Sequence, residues 1–161
     1  MDIQIKLFNG EIPILETPYR SPLVVVEAIK DIIKDKIVCE LGCACGDLMI
    51  EMSQYAKEVI GVELDPDRVK IAKERNLNVI ESNVYDDPIP EAEVYFFWED
   101  SFLLPKILKK GIWIIAADPS EQEDLEVEKL QLSGYWIDVS YNEGTKHRQS
   151  GILRLFVTKV R

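Results

Sequence analysis

The sequence predicts an α/β fold: a seven-stranded, mostly parallel, doubly wound sheet whose last strand runs antiparallel to the rest. Three observations predict it. From residue 36 onward, short β-branched runs alternate with amphipathic, charged stretches, the pattern of strands joined by crossover helices on both faces of a sheet. Those runs are apolar almost throughout, as expected of strands covered on both sides. Near the C-terminus two strand-like runs follow each other with no helix between them, so they pair as an antiparallel hairpin.

The elements follow in order. Residues 1–20 read as an irregular N-terminal segment, expected to act as a lid. "SPLVVVEAIKDIIK" reads as a helix with Ser21 as N-cap and Pro22 just inside. "KIVCEL", "EVIGVEL", "LNVIES", "EVYFFW" and "GIWIIAA" read as buried strands. "GDLMIEMSQYA", "DPDRVKIAKERN" and "SFLLPKILKK" read as the helices between them. The second has Asp65 as N-cap and Pro66 at the first helical position. It turns Val69, Ile71 and Ala72 inward and Lys70, Lys73, Glu74 and Arg75 mostly outward. "EQEDLEVEKLQLSG" reads as a further helix, and "YWIDVSY" and "ILRLFVTKV" as the closing hairpin around "NEGTKHRQSG". In that loop Lys146, His147 and Arg148 are read as a solvated hairpin tip.

Composition bounds the function. The 161 residues, 47% of them hydrophobic, suffice for one domain, 1–161, with a sizeable core. The N-terminal residues lack a basic start followed by an apolar run, and no apolar stretch approaches the roughly 20 residues that span a membrane. A soluble cytoplasmic protein without a membrane partner is expected. The net charge of −10 argues against nucleic acid as the main partner, because phosphate contacts need a basic surface. A protein or a small molecule is the expected partner.

"CELGCACGD", Cys39 to Asp47, carries the chemistry. Three cysteines suggest a metal, but their spacing matches neither an iron–sulfur run nor a redox C-x-x-C, and a structural zinc wants four ligands. The sole histidine, His147, is far away in sequence. No metal is expected, and the thiols read as small packing residues. Read by backbone, the stretch is a strand, a glycine-bearing turn and a helix start, which together make a nucleotide site at the C-terminal edge of a parallel sheet. The dinucleotide pattern G-x-G-x-x-G fails at Asp47. The pattern acid-x-G-x-G-x-G fits Glu40, Gly42, Ala44 and Gly46, with alanine in place of the middle glycine.

On these residues the chain resembles the class I S-adenosylmethionine-dependent methyltransferases, which are Rossmann-like, over about residues 20–160. The resemblance implies S-adenosylmethionine as cofactor. It implies that Glu63, ending "VIGVE", takes the ribose hydroxyls, with Leu64 beside it. It places Asn83 and Val84 of "ESNVYDD" at the adenine, where the family usually has an aspartate, and Trp98 at the tip of the fourth strand.

The tip of the fourth strand, "WEDS", lacks the Asp/Asn-Pro-Pro-aromatic run of nucleobase and glutamine amine methylases. Glu99 and Asp100 beside an aromatic suit a cationic amine such as lysine, and they equally suit the start of a helix. "ETPYRSP" before the first helix, together with "FLLPKI", is similar to a branch of compact protein-lysine methyltransferases. That similarity implies that Thr17 and Tyr19 fold over the methyl. Glu99, Asp100 and Tyr19 are thus the candidate catalytic residues. The expected function is methyl transfer to a protein amine. The alternatives are a small-molecule methyltransferase and a cofactor-binding protein or subunit that does not turn over.

Overall fold

The computed structural model describes residues 23–84, 86–98, 107–117, 131–142 and 150–161. Seven strands form one sheet: β1 (Ile37–Leu41), β2 (Glu58–Glu63), β3 (Asn78–Glu81), β4 (Val94–Trp98), β5 (Gly111–Ala117), β6 (Gly134–Asn142) and β7 (Ser150–Val160). Their order is β3-β2-β1-β4-β5-β7-β6. β1 to β5 are parallel to one another, and β7 is antiparallel to both β5 and β6. This is the expected sheet, with the reversed strand last. The chain builds outward from β1 to β3 and then crosses to β4 on the other side. β1 and β4 are therefore neighbours at the point where the strand order reverses, and in open sheets of this kind ligands bind at the C-terminal ends of such strands.

Three helices are described: α1 (Val25–Ile33), α2 (Asp47–Met52) and α3 (Pro66–Glu74). α1 buries Val25, Val26, Ile29 and Ile33, one face of a helix at its natural spacing. It starts at Val25 after a turn at Leu23 and Val24, whose carbonyls accept from the amides of Val26 and Glu27. The expected cap at Ser21 lies outside the described residues. α3 begins as its sequence demands: Asp65 accepts from the amides of Asp67 at 2.9 Å and Arg68 at 3.4 Å, and Pro66 follows. α2 is shorter than its periodicity suggests. After Met52 the chain turns so that the Tyr55 carbonyl accepts from Asp35 at the foot of β1. A tertiary contact there ends the helix early.

Side chains of opposite parity along the strands fill two layers. One holds Val38, Phe96, Ile114 and Leu155 against α1 and α2. A smaller cluster of Cys43, Met49, Val69, Ala72 and Val79 continues it under α2 and α3. The other layer holds Cys39, Leu41, Tyr95, Phe97, Trp113 and Phe156. There Tyr95 stacks on Trp113 with centroids 4.6 Å apart. The Tyr95 hydroxyl donates to the Pro90 carbonyl and accepts from the Ala92 amide, so its polar end is satisfied. Most of the two helices expected over this layer, within 101–110 and 121–134, lies outside the described residues. Ile107 and Leu108 do pack on it, and Gly134, expected at the helix end, already begins β6. Among the described residues no helix is long and apolar enough to cross a membrane.

Candidate functional site

The loop between β1 and α2 is held through its backbone groups, which bond mostly to β2 and to Arg75. The amides of Gly42 and Cys43 both donate to the Val62 carbonyl, at 2.8 and 3.0 Å, and the Gly46 amide donates to the Cys43 carbonyl at 3.0 Å. Gly42, Ala44 and Gly46 all adopt positive φ, +79°, +52° and +90°. This alternation explains the spacing of the motif: every second residue turns left-handed, where a side chain is costly. The two glycines serve different ends. A Cβ on Gly42 would meet nothing within 4 Å, so its face is open to a ligand, whereas one on Gly46 would sit 2.2 Å from Leu77 Cδ1. Gly46 is thus required first by its left-handed backbone, and a side chain there would also push the end of Leu77 aside.

Three acidic residues converge beneath the loop. Glu40, Asp47 and Glu63 are all buried. Burial above all, and then the charges of Asp47 and Glu63, push the Glu40 carboxyl well above its ordinary range. Its Oε1 has no hydrogen-bond partner. Glu63 accepts three backbone bonds: Ala44 N on Oε1 at 2.9 Å, and Leu64 N and Asp65 N on Oε2 at 2.8 and 2.9 Å. A carboxylate has about four lone-pair sites, so a ligand hydroxyl meets a side chain already committed to the backbone. Arg75, read from the sequence as outward-facing, is instead buried. Its Nη1 donates to Asp47 Oδ1 at 2.7 Å and to the Cys45 carbonyl at 2.8 Å. Sequence reasoning treated Asp47 only as a break in the dinucleotide pattern. The available signal was chemical: an acid next to an apolar loop needs a buried base, and Arg75 ends the helix that crosses behind it.

The remaining candidates are distributed along the same edge of the sheet. Leu64 exposes 57% of its surface directly after β2. Asn83 lies in a turn after β3, where its amide donates to Asp86 Oδ2 at 3.1 Å and its backbone N to Asp87 Oδ2 at 3.0 Å. Val84 packs on the second layer and Trp98, ending β4, on the first. Register aligns Glu63 with Glu81 and Leu41 with both Val62 and Phe97, which brings the loop, Glu63, residues 82–84 and Trp98 to one end. Tyr19, Thr17, Glu99, Asp100, Lys146, His147 and Arg148 lie outside the described residues.

Cys39 and Cys43 belong to separate clusters on opposite faces of the sheet, a placement at odds with a shared metal. Burial, as the largest cause, pushes the Cys39 thiol up to about 12 and the Cys45 thiol up to about 11, and it also raises Cys43. They are packing thiols rather than thiolates.

No family model matches the chain. It is 33% identical over 129 residues to the 23S rRNA (uracil(1939)-C(5))-methyltransferase RlmD of Francisella tularensis subsp. novicida, a match covering 76% of this chain and 27% of that protein. The chain thus spans about a quarter of that relative's length, and other curated relatives are likewise named RNA methyltransferases. Among solved structures, protein 1320 of Thermoplasma acidophilum superposes with a TM-score of 0.72 at 16% identity, covering 98% of this chain and 95% of that one. The N-methyltransferase NodS of Bradyrhizobium japonicum, in complex with S-adenosyl-l-homocysteine, superposes with a TM-score of 0.58 at 11% identity over 84% and 83% of the two chains.

These relatives overturn the expectation that nucleic acid is not the main partner and that the acceptor is a protein or small molecule. The charge argument failed for a physical reason. A total of −10 is a sum over the whole sequence, whereas binding a polyanion depends on the potential at one local surface. The comparisons support S-adenosylmethionine as the cofactor. By its strand order and its reversed last strand, the chain has the fold of the class I S-adenosylmethionine-dependent methyltransferases, and its sequence relatives within that fold are RNA methyltransferases.

Proposed function

We propose that this chain binds S-adenosylmethionine at the loop after β1 and transfers its methyl group to RNA. The observation that carries the cofactor reading is the buried acidic cluster under an open glycine. Glu40, Asp47 and Glu63 lie close together and buried, with Arg75 paired to Asp47, and Glu40 Oε1 lacks a partner among the described residues. A ligand bringing positive charge satisfies that atom and relieves the repulsion. The pyrophosphate of a dinucleotide would add negative charge to the same place. S-adenosylmethionine carries an ammonium and a sulfonium, and when bound it supplies an electrophilic methyl whose leaving group is a neutral thioether.

In this reading Glu40 accepts from the methionine ammonium, and the open face of Gly42 lets the backbone approach. Glu63 receives a ribose hydroxyl on its remaining lone pair, Leu64 covers the ligand, and Asn83 and Val84 flank the base. The protein's task is then to align the acceptor atom opposite sulfur at about 3 Å. RNA as acceptor rests on the names of the relatives.

The test has two stages. Calorimetry with S-adenosylmethionine, its demethylated product and NAD is expected to show binding of the first two only. Tritiated methyl transfer into cell lysate is expected to give label removed by ribonuclease and kept after protease, with nucleoside mass spectrometry identifying the methylated atom. Label removed by protease alone would overturn the RNA reading.

A further inference from the structure

Arg75 is 28 residues beyond the glycine loop in sequence, yet its guanidinium is buried against it, with side-chain exposures of 2% for Arg75 and 4% for Asp47. A buried arginine is costly unless paired, so its placement calls for an explanation. One nitrogen, Nη1, makes both bonds, to Asp47 Oδ1 and to the Cys45 carbonyl, while Nε is buried with no partner. A side chain placed for stability alone would use its other donors. This one is aimed at a single point. On the other side of the same dipeptide, the Ala44 amide donates to Glu63 Oε1 at 2.9 Å. The Ala44–Cys45 unit is therefore held at its N–H end by β2 and at its C=O end by Arg75, the residue that caps the C-terminus of α3. Ala44 needs such support, because φ of +52° is a conformation alanine does not keep unaided.

We infer that Arg75 is a positioning residue for the cofactor loop: it clamps the Cys45 carbonyl so that Ala44 stays left-handed and the face of Gly42 stays open. The inference rests on the cofactor reading above for its consequence, and on the loop alone for its geometry. The clamp makes the loop's shape depend on the docking of α3. Neither Glu63 nor the loop's own backbone bonds hold the Cys45 carbonyl.

The test uses four proteins: wild type, Arg75→Lys, Arg75→Met, and Arg75→Met combined with Asp47→Asn. Each is measured for thermal unfolding, for S-adenosylhomocysteine affinity by calorimetry, and for amide exchange of residues 42–48. Arg75→Met takes the guanidinium away from the buried Asp47 carboxylate, so it loses stability for that reason alone. The double variant also removes the Asp47 charge and recovers much of the stability, but it still leaves the Cys45 carbonyl without its Arg75 donor. Its affinity is expected to stay at least about tenfold below wild type, with faster exchange across 42–48 and unchanged exchange in β4 and β5. Because one nitrogen makes both bonds, Arg75→Lys is expected to restore affinity to within about threefold. If affinity returns together with stability in the double variant, Arg75 is only structural and the inference is overturned. Unchanged exchange in 42–48 in both methionine variants overturns it as well. Faster exchange in a protein whose wild type binds no S-adenosylhomocysteine would leave the clamp standing and refute the cofactor reading instead.

Discussion

Single residues in this site are set against local stability. Burial, and then the charges of Asp47 and Glu63, push the Glu40 carboxyl well above its ordinary range. Its folded pKa lies above the ordinary value of 4.5, so its contribution is fully present below pH 4.5 and is lost as pH rises, because the unfolded chain releases a proton that the folded chain keeps. Glu40→Gln is therefore expected to be more stable than wild type, by a margin that grows from pH 5 to pH 8 in urea unfolding. It is also expected to bind S-adenosylmethionine at least about tenfold more weakly. A margin that does not change with pH would show that Glu40 is ionised in the fold. Ala44 tests the backbone. With φ of +52°, Ala44→Gly removes a left-handed penalty larger than the entropy that glycine adds to the unfolded chain. A gain of about 0.5–1 kcal/mol in unfolding free energy is expected. The thiols make a third case. With Cys45 pushed up to about 11, only about one thiol in a thousand is ionised at pH 8. Alkylation in the folded state is expected to be slow at all three cysteines and fast only in denaturant, as intact mass would show.

At the scale of elements, local sequence sets the start of α3 and tertiary contact sets the end of α2. Asp65 and Pro66 form a start signal whose bonds the structure contains. Asp65→Ala is expected to cost about 1 kcal/mol, a fall of roughly 2–4 °C in melting temperature, while Asp65→Asn keeps most of it; equal loss in both would show that charge rather than capping matters. The strands were legible because nearly unbroken apolar runs exclude amphipathic helices. The hairpin was legible because ten residues between strands leave no room for a crossover. The end of α2 was not, because Tyr55 turns toward Asp35, a contact between segments about twenty residues apart. Arg75 was misplaced for a related reason. Helical periodicity assigns faces within one helix, but α3 also meets the glycine loop at its C-terminal end, and there the capping residue faces inward whatever its polarity.

For the whole molecule the decisive quantity is charge. The 19 lysines and arginines are set among 29 acidic residues, so for the proposed RNA acceptor few of them are expected to share one face free for phosphates. The chain's RNA affinity is expected to depend weakly on salt, with a slope in log K against log salt no steeper than about −3, corresponding to three or four phosphate contacts. Filter binding between 50 and 200 mM salt measures this, and a slope near −6 or steeper would reveal a basic face that the total charge conceals.

The sequence by itself determined the sheet, its reversed last strand, the glycine-bearing turn after β1 and the acid at the tip of β2, because each is written in local pattern: apolar runs, turn residues and fixed spacing. Only the tertiary structure decided how those acids share their bonds. Glu63 is committed to three backbone amides, Glu40 is left with an orphaned oxygen, and Arg75 is drawn inside. Such assignments depend on which polar groups become neighbours once water is excluded. Residues 28 or 30 positions apart carry no mark of that in their spacing.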